Sequence, residues 1–240
     1  MANSSKVFLS ASWLDLVFLN YAIDPEVLLP FVPNGTALDS FAGKTYISLV
    51  GFRFCETRLW GKISIPFHSD FEEVNLRFYV RRETGGEVRR GVVFIKEIVP
   101  KAAIALTARL VYGENYVSHP MKHKIVANEH QSEVEYSWNC NGSWSRLHAS
   151  AWGAAKLPAE HGLEQYITEH FWGYSQKSGR TIEYHVTHAP WSVRIASASD
   201  FEGNASTLYG PDFASLLSRP PDSAYIAEGS PIEVLSGAHI

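Results

Sequence analysis

Residues 71–82 read Phe-Glu-Glu-Val-Asn-Leu-Arg-Phe-Tyr-Val-Arg-Arg, and two sets of side chains alternate along them. Val74, Leu76, Phe78 and Val80 form one set, and Glu73, Asn75, Arg77, Tyr79 and Arg81 the other. Successive side chains of a strand point to opposite faces, so alternation of this length predicts a strand over 73–82. Thr84-Gly85-Gly86-Glu87 follows, where glycine takes positive φ freely, and 92–98 returns as a second apolar run. The three segments together predict a hairpin.

The flanking sequence carries the same signature. Residues 45–54 are rich in β-favouring residues and almost continuously apolar, which predicts a strand buried on both faces. Asn141-Gly142 joins two alternating runs, 134–140 and 144–149, as a second hairpin. Ser178-Gly179 leads into a strand at 182–186, and another is expected at 191–196. Helical spacing is confined to a short start at Asp24-Pro25-Glu26, to 100–113 ending at Gly113, and to 160–171, with a short helix at 212–217. An edge strand is expected at 225–235. Strands outnumber helices and do not alternate with them one for one, which predicts an α+β fold around an antiparallel sheet or barrel.

The 240 residues are 45% hydrophobic and 19% charged, enough apolar content to build a core without disulfides. A single domain over 1–240 is expected, with an irregular tail from 201 to 240. Lys and Arg number 21 against 25 Asp and Glu, a net charge of −4, and no basic excess points to nucleic acid or to anionic lipid. No run reaches the apolar length of a membrane helix, and residues 1–5 lack the flank of a secretion signal. Cys55 and Cys140 stand in no metal-like spacing and read as free thiols, so the expected location is cytoplasmic. The seven Trp fit a thick core and a homodimer interface equally.

Glycine-rich phosphate loops, zinc-protease helices and hydrolase elbows are all missing. His119 and His123 are split by Pro120, and His185 and His188 fall on opposite faces of a strand, so neither pair predicts a metal site and no cofactor is expected. The polar row Glu73, Asn75, Arg77 and Tyr79 fits two environments. On an open sheet it is a solvated face with a Glu–Arg pair. Inside a closed sheet, its carboxylate, amide and guanidinium must pair with each other or with a ligand.

The segment 71–80 resembles the "F-x-E-x-N-x-R-x-Y-V" signature of the YqjF-like family, uncharacterised conserved bacterial proteins with a domain of unknown function. Gly43 to Phe52, Ala108-Arg109 with Tyr112-Gly113, Leu163 to His170 and His188-Ala189-Pro190-Trp191 are similar to further family segments in order, covering about residues 10–200. The resemblance implies a fold like that of acetoacetate decarboxylase: a mostly antiparallel, cone-shaped β-barrel with a few peripheral helices. In that enzyme a lysine of depressed pKa forms a Schiff base with a β-keto acid. Laying Arg109 on the arginine of the family's lysine motif brings Asn115 to its proline and Tyr116 and Val117 to the lysine pair, so the nucleophile is absent at those positions.

The expectation is therefore a barrel that binds a small anionic or carbonyl-bearing metabolite. Glu73, Asn75, Arg77, Tyr79 and Arg109 are the ligand-binding candidates, and Glu73 and Tyr116 the catalytic ones. Arg77 would clamp a carboxylate, and Glu73 would act as acid or base. Two alternatives stand beside it: a lyase or hydratase of keto acids using Lys122 or Lys124, and a scaffold protein whose filled barrel binds nothing.

Overall fold

The computed structural model describes residues 6–64 and 66–240; the polar start at 1–5 lies outside them. The chain opens with β1 (Val7–Ile23) and turns through α1 (Pro25–Leu28). Asp24 caps that helix, its Oδ1 accepting from the Glu26 N–H at 3.0 Å, and Pro25 takes the first helical position. Then come β2 (Ala37–Leu38), β3 (Thr45–Leu59), β4 (Ile63–Ser64), β5 (Phe71–Thr84) and β6 (Glu87–Val99). Gly85 and Gly86 make the β5–β6 turn at φ 58° and 80°. The helix α2 (Ala102–Tyr112) ends on left-handed Gly113. Next are β7 (Tyr116–Ser118), β8 (Met121–Ala127), β9 (Gln131–Cys140) and β10 (Ser143–Trp152), the last two joined at Asn141-Gly142. After α3 (Leu163–Thr168) follow β11 (Trp172–Lys177), β12 (Arg180–His188), β13 (Val193–Ile195) and β14 (Ala198–Glu202). The helices α4 (Ala205–Tyr209) and α5 (Pro211–Leu217) precede β15 (Ser223–Leu235) and β16 (Ala238–His239).

The protein is mostly strand with few helices. The larger sheet runs β15-β1-β3-β5-β6-β11-β12, and β12 pairs back onto β15, so these seven strands make a closed ring of pairings. All the ring pairings are antiparallel except β6–β11. A second sheet, β14-β10-β9-β8, covers part of the outer face of the ring. One apolar cluster lies between the two sheets, with Val74, Leu76 and Phe78 packed among Tyr136, Trp138 and Leu147. The other fills part of the ring interior around Phe18, Phe52, Tyr79 and Tyr184. This double coverage explains why β3 is mostly apolar and buried over 45–52, and why the polar face of β5 is buried instead of wet.

A bulge in β6 has the largest consequence for that interior. Counting from the Gly85-Gly86 turn, Glu97 should oppose Val74, but the register shifts between Leu76 and Arg77, leaving Ile95 as an extra residue. Glu97 therefore opposes Asn75 and shares its inward face.

Three expectations need correction. The helix expected over 160–171 is limited to Leu163–Thr168, where the Thr168 hydroxyl bonds back to the Glu164 carbonyl at 2.8 Å and Glu169 leaves helical geometry. The strand expected at 191–196 shrinks to Val193–Ile195. The tail from 201 is not irregular, and its strand is not at an edge, because β15 pairs with β1, β12 and β13. The sequence reading also omitted β1, whose unbroken apolar stretch Leu16–Leu19 gives no alternation to read.

Candidate functional site

The ring and α2 line a partly open cavity of about 260 Å³. Its wall is largely apolar, with Trp13, Phe52, Phe54 and Phe71 from the strands and Ile104 and Ala108 from α2. The polar groups come mainly from adjoining strands: Glu73, Asn75 and Arg77 on β5, Glu97 on β6, Tyr116 on β7 and Tyr184 on β12, with Glu114 between α2 and β7. Such a mix of apolar wall and few convergent polar groups is typical of small-molecule sites, and the volume suits a small metabolite.

Three carboxyl groups, each at least nine-tenths buried, meet at one end. Glu73 Oε1 accepts from Asn75 Nδ2 at 2.9 Å, and its Oε2 accepts from the Tyr116 hydroxyl at 2.9 Å. Glu114 Oε1 accepts from the Tyr184 hydroxyl at 2.9 Å. Glu97 Oε2 and Asn75 Oδ1 have no hydrogen-bond partner. Burial pushes the Glu73 carboxyl up to about 7, against the opposing pull of Asn75, Tyr116 and Arg77. Burial, with the Glu73 charge added, pushes Glu114 up to about 8. Glu97 is raised well above the carboxylate range by burial and by both neighbouring acids. Gly173 positions the Tyr184 ring: a Cβ there would lie 2.0 Å from Tyr184 Cζ, so only glycine lets the ring cross that point.

Arg77 lies two residues along β5 from Asn75. Its guanidinium stacks on the Phe18 ring, Cζ 5.2 Å from the centroid. The buried Glu183, by contrast, is paired with both Arg82, at 2.8 Å, and Arg89, at 2.5 Å. Among the described residues Arg77 makes no such pair, and its Nε has no acceptor. Beside it, His170 lines the cavity with Nε2 3.4 Å from Asp39 Oδ2. Burial, with the charges of Arg77 and Arg90, outweighs Asp39 and holds the His170 imidazole below its usual range.

Of the candidates read from sequence, Glu73, Asn75, Arg77 and Tyr116 come together on the cavity wall. Tyr79 shares their face but is packed behind the wall, its hydroxyl 2.6 Å from Ser48 Oγ and its ring against His170. Arg109 is outside the cavity: exposed on α2, its Nε donates to the Tyr116 carbonyl at 2.6 Å and so holds the strand that carries Tyr116. Lys122 and Lys124 lie on β8 in the second sheet, Lys122 over the Trp144 ring and Lys124 4.0 Å from Glu133. No described lysine lines the cavity. His188 lines the cavity and His185 packs against Trp172 with the rings tilted by 37°, on opposite faces as their odd separation requires. Glu97, Glu114 and His170 were missed. Glu97 depends on the bulge and Glu114 on the exit from Gly113, while His170 reads in sequence only as a helix residue.

A family model described as "Uncharacterized conserved protein", DUF2071, matches residues 10–231. The uncharacterized protein YqjF of Bacillus subtilis (strain 168) is 25% identical over 202 residues, spanning 83% of this chain and 80% of that protein. The fold is similar to that of acetoacetate decarboxylase from Legionella pneumophila, with a TM-score of 0.66 at 13% identity, covering 99% of this chain and 89% of that one. It is also similar to the enduracididine biosynthesis enzyme MppR complexed with pyruvate, with a TM-score of 0.62 at 15% identity and coverage of 99% and 92%. At such identities the likeness is one of fold. With nearly its whole length matched, the chain belongs to the DUF2071 family, and it has the acetoacetate decarboxylase-like fold.

Proposed function

We propose that this protein is a cytoplasmic binder of a small carboxylate-bearing metabolite, held inside the ring as in a cone-shaped barrel. The observation that carries this reading is Arg77, a buried guanidinium on the cavity wall with no ion-pair partner among the described residues. An unpaired charge in such a place is costly, and a ligand carboxylate removes the cost through two parallel hydrogen bonds. The aromatic wall takes the apolar part of the ligand. Two unbridged, half-buried thiols suit a reducing compartment.

The test is thermal unfolding with a panel of small carboxylic and oxo acids. Pyruvate, the molecule bound in the MppR complex, and acetoacetate are the first probes. An acid at a hundred times its Kd adds about 2.7 kcal/mol, or roughly 5–10 °C for a chain of this size. The Arg77→Gln variant should lose that shift. A panel that moves neither protein, or moves both alike, rejects the clamp.

A second reading is favoured by Glu73. A carboxyl raised to about 7 and bonded to the Tyr116 hydroxyl suits proton transfer at a carbon beside a carbonyl. With no described lysine on the wall, imine formation has no nucleophile there. Deuterium entering the pyruvate methyl group, abolished by Glu73→Gln, supports this reading. No exchange above the buffer rate removes it, and borohydride should trap no adduct.

A further inference from the structure

We infer that the ligand is a zwitterion, carrying a primary ammonium or guanidinium group in addition to the carboxylate, and that Glu97, Asn75 and Glu73 hold the cation while Arg77 holds the carboxylate. The inference rests on the carboxylate clamp and extends it to the opposite end of the cavity. Two buried oxygens have no hydrogen-bond partner there, Glu97 Oε2 and Asn75 Oδ1. They belong to residues directly opposed across β5 and β6, 2% and 1% exposed respectively, and both residues line the cavity.

Turning the Asn75 amide would break the bond its Nδ2 makes to Glu73 Oε1 and set two oxygens against each other whenever Glu73 is ionised. The Tyr184 hydroxyl is committed to Glu114, and Tyr116, which neighbours both Glu73 and Glu97, has a single proton that goes to Glu73. Once Glu97 is ionised, what is missing is a donor with several protons. An ammonium has three, enough for Glu97 Oε2, Asn75 Oδ1 and one further carboxyl oxygen. Among the described residues the carboxyls do not form a group able to hold a metal ion, so an organic cation fits this end better than a divalent one. Arg77 and the Asn75–Glu97 pair are two residues apart on one strand face, on the order of 7 Å. That spacing suits an ω-amino acid with a short chain between its charges.

The titratable groups lining the cavity are Glu73 from β5, Glu97 from β6, Glu114 and Tyr116 around β7, Tyr184 from β12 and Tyr112 from α2, with Arg77, His68, His170 and His188 the basic ones. The raised Glu73 and Glu114 hold protons near neutrality until a positive charge arrives. Binding therefore releases protons.

Isothermal calorimetry on the full chain with matched pairs tests the inference: butyrate against 4-aminobutyrate, and hexanoate against 6-aminohexanoate. Each pair is run in two buffers of different ionisation enthalpy. The amino member should bind about tenfold or more tightly, since a charged hydrogen bond contributes about 1.5–3 kcal/mol. It should also release about one proton near neutral pH. Glu97→Gln, which keeps the shape of the side chain, should bring the pair to within about twofold while plain acids still bind. Equal binding of the two members overturns the zwitterion and leaves the Arg77 clamp standing. Failure of every acid to bind removes both. Magnesium or calcium displacing the amino acid overturns the cation assignment.

Discussion

Arg77 shows how one residue can be costly to the fold and necessary to the site. Its guanidinium is buried against Phe18 with no direct ion pair among the described residues and only the through-space pull of Glu73, so its desolvation is only partly offset. Replacing it with Met, similar in length and apolar, should raise the stability of the ligand-free protein by about 1 kcal/mol while removing every acid-induced melting shift. Urea unfolding of the two proteins measures the first effect; a destabilised Arg77→Met would mean that the guanidinium is structurally paired. The carboxyl end predicts a pH trend. Unfolded, Glu73 and Glu114 titrate near 4.5, but folded they keep their protons up to about 7 and about 8. Across that window the native state binds more protons than the unfolded state. Stability therefore falls as pH rises from about 5 to about 8, by an amount on the order of 5–10 kcal/mol. Urea midpoints measured across this range should show the slope, and Glu73→Gln should reduce it to the part that Glu114 supplies. An unchanged slope in that variant would mean that the carboxyl stays ionised in the fold.

At the level of elements, the β5–β6 hairpin was the most legible part of the sequence because its alternation and its Gly85-Gly86 turn act locally. Glu73, Asn75 and Arg77 could be assigned to one face for the same reason. That the face is buried depends on pairings hundreds of residues apart in sequence, such as β1 with β15, and no local pattern encodes those. Glu97 was illegible because a one-residue bulge at Ile95 inverts its face, and bulges leave no mark in an apolar run. Arg109 was misread because a resemblance carries position along the chain but not which side of a helix looks inward. The β11–β12 hairpin offers a test of fit. An alanine at Gly173 sets a methyl group where the Tyr184 ring passes, so Gly173→Ala should cost about 1–3 kcal/mol and free Glu114 from its only side-chain donor among the described residues. Denaturant unfolding reads the cost, and a neutral outcome would show that the ring has room to move.

For the whole molecule, the decisive feature is closure of the ring through its last strand. β15 pairs with β1 from Val7↔Leu235 to Asn20↔Ser223, and it meets β12 at Val186↔Val234, Thr187↔Glu233 and His188↔Ile232. Tyr225, Ile226, Ala227 and Ile232 on it are buried, and each large apolar side chain contributes roughly 1.5–3 kcal/mol. Losing them together would remove much of the roughly 5–15 kcal/mol that keeps a domain folded, and would leave β1 and β12 with open edges. A chain ending at residue 200 should therefore fail to fold, despite keeping every polar residue of the cavity. A chain ending at residue 236 loses only β16, which pairs at Ile182↔His239 and Glu183↔Ala238. It should remain folded and bind the same acids, at a cost of about 1–2 kcal/mol from the lost backbone hydrogen bonds. Circular dichroism and cooperative thermal unfolding separate the two truncations. If the shorter chain melted cooperatively, the cavity would be held by β1, β3, β5, β6, β11 and β12 without the strand that closes them, and closure would be a consequence of folding instead of its condition.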